Sequence, residues 1–148
     1  MISLRPAEPG DAEAIGLLFS RSRRLLTFLP ELHTQDEDLA FIAAVILPNH
    51  RITVATLDGA IAGYMAESPG FIEQLYMQPD LRRSGVGSAM MADAKARNDA
   101  LELWCFKQNL PGRAFYEKHG FVVLYETDGA ENEARAPDIR YRWERDTS

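Results

Sequence analysis

The chain has 148 residues, 46% of them hydrophobic and 26% charged, with a formal net charge of −6. That length suits one domain with a sizeable core. The composition excludes several classes: no apolar run approaches the roughly 18–20 residues that span a bilayer, the first residues lack the long apolar stretch of a signal peptide, and the acidic balance argues against nucleic acid as a main partner.

Residues 2–5 read as a first strand. Pro9-Gly10-Asp11 then opens an amphipathic helix with Ala14, Ile15, Leu18 and Phe19 on its apolar side, and Arg21, Arg23 and Arg24 place cations at its negative end. A loop carries Phe28 and His33. Thr34 and Glu37 form a capping box that opens a second helix to about Leu47, closed by Pro48-Asn49. Residues 52–57 and 60–67 alternate as strands joined at Asp58-Gly59, a strong hairpin signal. After a turn at 68–70, Phe71–Met77 is the next strand. It leads into a glycine loop and a helical run over 88–97. Residues 101–106 form a buried strand holding the single cysteine, Cys105, expected to be inert there; a reducing cytoplasm fits. A short helix runs from Asn109 or Leu110 to His119, with Pro111 in its first turn and Gly120 as a left-handed terminator. Residues 121–127 and 139–145 pair antiparallel across a polar stretch, 128–138, and 146–148 read as a frayed end. The order β-α-α-β-β-β-α-β-α-β-β predicts one α/β domain over 1–148, built on a mixed central sheet with flanking helices.

The stretch from Leu75 to Met91 is the richest in information. A strand (Leu75, Tyr76, Met77) meets a Pro-Asp turn, then Arg82-Arg83-Ser84-Gly85-Val86-Gly87, then Ser88 and a helix. Strand, glycine loop and helix together hold phosphate: glycines leave no Cβ in the way, N–H groups converge at the positive helix end, and arginines add charged donors. A P-loop run is absent. A dinucleotide fingerprint counted from Gly85 fails at Met90, where its third glycine belongs. The pattern that matches is Arg-x-x-Gly-x-Gly on Arg82, Gly85 and Gly87, which resembles the pyrophosphate loop of the GCN5-related N-acetyltransferases. A second segment, Asn109-Leu-Pro-Gly-Arg-Ala-Phe115-Tyr116-Glu-Lys-His-Gly120-Phe121, resembles that family's later motif, with Gly112 in place of the usual alanine.

The resemblance implies the GNAT fold and acetyl transfer from acetyl-CoA to a primary amine of a small molecule or peptide, by direct attack. The co-substrate would be held by the backbone of Leu75, Tyr76 and Met77, by the loop from Arg82 to Ser88, and by Asn109, which as an N-cap residue has a second reason to be there. Tyr116 is the general-acid candidate, since a phenol stays protonated at neutral pH; packing beside Phe115 is its other role. Glu73 is the candidate base. Alternation puts it on one strand face with Phe71, Leu75 and Met77, where desolvation would raise its pKa; the alternative is an anchor for the substrate ammonium. Phe28, His33 and Tyr64 are expected at the acceptor site. Tyr76 and Trp104 are expected near the slot, where they would limit acyl size. His33, His50 and His119 lack metal-ligand spacing, so no metal is expected. The same residues leave open a non-catalytic acyl-CoA sensor, a transferase for longer acyl groups, and a homodimer.

Overall fold

The computed structural model describes residues 1–81 and 83–146; Arg82, singled out for the glycine loop, lies outside the described residues, as do Thr147 and Ser148 of the expected frayed end. Strands β1 (Ile2–Pro6), β2 (Arg51–Leu57), β3 (Ala60–Ser68), β4 (Phe71–Met77), β5 (Ala100–Phe106), β6 (Val122–Thr127) and β7 (Asp138–Glu144) form one sheet. Its order is β1-β2-β3-β4-β5-β7-β6. Only β4 and β5 run parallel; the other neighbours are antiparallel. The chain returns along β7 between β5 and β6, so β6 is left as an edge.

Each sheet face buries its own core. On one, Ile15, Leu18 and Phe19 of helix α1 (Ala12–Leu25) pack with Ile42 and Ile46 against Ile52, Val54, Tyr64 and Ala66. On the other, Val86, Met90, Met91 and Ala94 of helix α4 (Val86–Arg97) meet Met65, Ile72, Leu101, Leu103 and Tyr141, with Phe115 and Tyr116 of helix α5 (Leu110–Lys118) against the same cluster. The predicted second helix is less regular than its capping box suggests. After α2 (Gln35–Phe41) the chain widens into a π turn over Ile42–Ile46 and closes with a short α3, Leu47–Asn49. Thr34 and Glu37 make the reciprocal caps as expected, at 3.1 and 2.8 Å. Asp58 and Gly59 both take positive φ, 53° and 88°, as the tight β2–β3 turn requires.

Two irregularities set the geometry around β4. The β3–β4 register shifts between Ala66 and Glu67: Ala66 pairs with Gln74 while Glu67 pairs with Ile72, leaving Glu73 as the extra residue of a bulge. Beside it, β4 and β5 pair only at Phe71↔Glu102 and Ile72↔Leu103. Beyond Ile72 the two strands separate, and β4 presents an unpaired edge towards β5.

Candidate active site

The bulge overturns the face assignment read from the sequence. One extra residue inverts the alternation, so Ile72 shares the α4 side with Leu75 and Met77, while Glu73, Gln74 and Tyr76 line a cleft on the opposite, α1 side. Glu73 is therefore exposed instead of desolvated among apolar neighbours. Among the described residues its carboxylate has no ion-pair partner.

The cleft has a volume of about 970 Å³ and is walled by α1, the loop before α2, α2, β4, Phe106 and the loop between β6 and β7. His33 lines it, as expected. Its Nε2 meets Glu133 across the cleft from the β6–β7 loop, with Glu37 3.9 Å from Nδ1; the Glu133 carboxylate raises the His33 pKa above its ordinary value. That loop is ordered by Asn132, whose amide donates to the Ala136 carbonyl (2.7 Å) and to Asp138 (3.1 Å). Tyr64 does not reach the cleft. It is fully buried, and its hydroxyl donates to Gln74 Oε1 at 2.8 Å, so it positions a wall residue from behind. Phe28 does not line the cleft either; its ring packs edge-on to Phe106, 5.9 Å between centroids. Trp104 packs against Tyr125 and Arg140 and does not line the cleft. The wall also includes residues for which no site role was expected: Arg23, Gln74 and Phe106. Their signals in the sequence are an arginine at a helix end and ordinary strand residues.

The other side of β4 holds a different set of groups. Gly85 caps α4 with φ 91°, a left-handed conformation suited to glycine. Among the described residues no acceptor takes the N–H of Gly85, Val86, Gly87 or Ser88; the first helical bond runs from Ala89 to the Gly85 carbonyl at 3.0 Å. Unaccepted N–H groups at a helix start favour an anion. Gly87 differs from expectation. It is helical, and a Cβ there would lie 2.5 Å from Met77 Sδ and 3.0 Å from Phe115 Cε1. It is glycine because α4 packs closely on β4 and α5, not because of an unusual backbone angle. Asn109 caps α5 by accepting from the Gly112 N–H at 3.1 Å. A Cβ on Gly112 would come 2.5 Å from Asn109 Nδ2, so an alanine there would need the Asn109 side chain to shift.

Tyr116 lies at the divergence of β4 and β5. Its ring packs among Phe115, Phe121 and Tyr141. Burial, with smaller effects from the Cys105 thiol and the Tyr76 hydroxyl, pushes its pKa far above that of an ordinary phenol. No hydrogen bond among the described residues occupies its hydroxyl. Burial likewise pushes the Cys105 thiol up to about 12, so it stays protonated and non-nucleophilic.

Comparison with known proteins identifies the family and the fold. Residues 48–123 match the family model described as an acetyltransferase (GNAT) domain. Peptidyl-lysine N-acetyltransferase YiaC of Escherichia coli (strain K12) is 29% identical over 68 residues, a match spanning 45% of this chain and 47% of that protein. Among solved structures, apo-form YjaB from Escherichia coli superposes with a TM-score of 0.81 at 23% identity, over 97% of both chains. YncA from Salmonella typhimurium, solved with its cofactor acetyl-CoA, gives 0.72 at 17%, over 100% of this chain and 96% of that one. The structural likenesses carry the fold, and the family model, covering more than half of the sequence, carries the membership: this chain belongs to the GNAT acetyltransferase family.

Proposed function

We propose that the chain transfers an acetyl group from acetyl-CoA to a primary amine held in the α1-side cleft. The observation that carries this reading is the separation of β4 from β5 beyond Ile72, with the Tyr116 hydroxyl at the opening and the unaccepted N–H groups of α4 close by. An acyl-CoA fits these features. The N–H groups from Gly85 to Ser88 would hold its pyrophosphate, with Arg83 and Ser84 in the same loop; the free edge of Leu75, Tyr76 and Met77 would pair with its pantetheine arm as an added strand. When bound, acetyl-CoA supplies an activated thioester carbonyl.

The residues of the chain then divide the work. Glu73, exposed on the cleft side of the bulge, meets the cationic amine as an ion-pair anchor; its exposure favours that role over the base role. The ammonium loses one proton to solvent water at the cleft before its nitrogen bonds to the acyl carbon, and a second to water as the neutral amide forms. As the carbon–sulfur bond breaks, Tyr116 donates its phenolic proton to the departing thiolate and is reprotonated from solvent. Burial raises the Tyr116 pKa, so the phenol carries its proton before the thiolate forms. Cys105, protonated and buried, is unsuited to forming an acyl-enzyme.

Tyr116→Phe tests this. It removes one oxygen and leaves the ring packing, so turnover should fall about 10²–10⁴-fold with acetyl-CoA affinity by calorimetry nearly unchanged. A fall of less than about threefold would return Tyr116 to a packing role and favour the acyl-CoA sensor.

A further inference from the structure

The charges on the cleft wall leave two groups over. Arg24 lies 3.3 Å from Asp38 and 3.9 Å from Glu31, and His33 pairs with Glu133 and Glu37. The remaining two charged side chains on the wall are Arg23 and Glu73, and neither has an ion-pair partner among the described residues. Arg23 is half-buried in the last turn of α1. Its guanidinium lies 5.6 Å from the centre of the Phe106 ring and against the Tyr76 hydroxyl. A cation at a helix end needs no such site; Arg24, one residue on, serves the dipole equally well. Against an aromatic face, a planar guanidinium can turn its donor edge to a carboxylate in the cleft.

Building on the acetyl-transfer reading, we infer that the acceptor is an amino acid, bearing its own carboxylate together with the amine to be acetylated. Glu73 takes the ammonium end and Arg23 the carboxylate. Glu73 and Tyr76, on which Arg23 leans, are three residues apart on β4, roughly 10 Å along the strand. Side chains reaching inward from those two points span a small zwitterion. Phe19, Phe41 and Leu29 supply an apolar wall for its side chain. The same arrangement rejects a simple diamine, whose second cation would meet Arg23 without compensation.

The test compares leucine and phenylalanine with their amides and their decarboxylated amines, following CoA thiol release with acetyl-CoA, while calorimetry follows acetyl-CoA binding. The acids should exceed the matched amides and amines in kcat/KM by about 10- to 100-fold, the worth of a charge-assisted hydrogen bond. Arg23→Gln should bring that ratio close to one, and Arg23→Lys, which keeps the charge but loses the fork, should leave it intermediate; circular dichroism checks that both variants fold. Amides or amines used as well as the acids would overturn the inference. So would a ratio that survives in folded Arg23→Gln, or acetyl-CoA binding with no turnover of either acid. Failure of the wild-type protein to bind acetyl-CoA is a distinct result, and would overturn the transferase reading together with this one.

Discussion

Glu73 stands exposed at the extra position of the β4 bulge, facing the cleft with no ion-pair partner among the described residues. An anchor and a base make different kinetic predictions at this site. As an anchor, Glu73→Gln should raise the acceptor KM by about tenfold, the lower end for a hydrogen bond to a charged group. The acidic limb of the rate–pH profile should still follow the amine's own titration. A large loss of kcat with an altered limb, measured from about pH 6 to 9, would restore the base role. Cys105 gives a second prediction. Its thiol, pushed up to about 12 by burial, should resist iodoacetamide at pH 8 in the folded protein, and Cys105→Ala should retain most of the turnover. Loss of turnover in a folded Cys105→Ala variant would revive a covalent acyl-enzyme.

At the scale of elements, the two loop glycines have separate duties and should fail differently. Among the described residues a Cβ on Gly85 would touch only Ile2 Cδ1, at 3.6 Å, so the cost of Gly85→Ala is set by φ 91°, about 1–2 kcal/mol. Its main effect should be weaker acetyl-CoA binding as the start of α4 re-forms. Gly87→Ala drives a methyl into Met77 and Phe115. It should cost about 1–3 kcal/mol of stability through overpacking, read as a lower melting temperature, and disturb β4 and α5 together. Equal effects of the two variants on stability and on affinity would contradict this division. The strands, the capped helices, the Asp58-Gly59 turn and both motifs were legible because each rests on local spacing or a residue with one conformational use. The bulge at Glu73 was not legible. Nothing in Phe-Ile-Glu-Gln-Leu-Tyr-Met announces an extra residue, because the register shift is set by pairing with β3. That one residue moved Glu73 out of an expected apolar setting and onto the cleft wall beside Gln74 and Tyr76. Arg23 was read only as a helix-end cation for the related reason that Phe106, against which it lies, is 83 positions away.

Across the whole molecule, the cleft is closed on one side by two loops far apart in sequence, joined where His33 meets Glu133. The pairing raises the His33 pKa, chiefly through the hydrogen bond to Glu133, with Glu37 and Asp38 adding to it and slight burial opposing it. The sign follows from that direction. The stabilisation is fully present below the ordinary histidine value of 6.5 and is lost as pH rises through the elevated value, when the imidazole becomes neutral. The groups around it give no compensating charge: Arg24 is held by Asp38 and Glu31, and its remaining contact here is with the His33 carbonyl at 3.2 Å. The β6–β7 loop should therefore be freer at alkaline pH. Arg135 is exposed on that loop, which makes trypsin a usable reporter. With the rate normalised to cleavage of a small peptide at each pH, nicking after Arg135 should rise about two- to fivefold between pH 6 and 9, a modest change suited to an exposed ion pair. The exposed pair is also open to salt screening, so added salt at pH 6 should reproduce part of the increase. His33→Gln should be nicked at the faster rate at both pH values. A wild-type loop cut at the same normalised rate throughout would show that the loop's internal hydrogen bonds, those of Asn132 and Thr127 among them, hold it without the His33 pair.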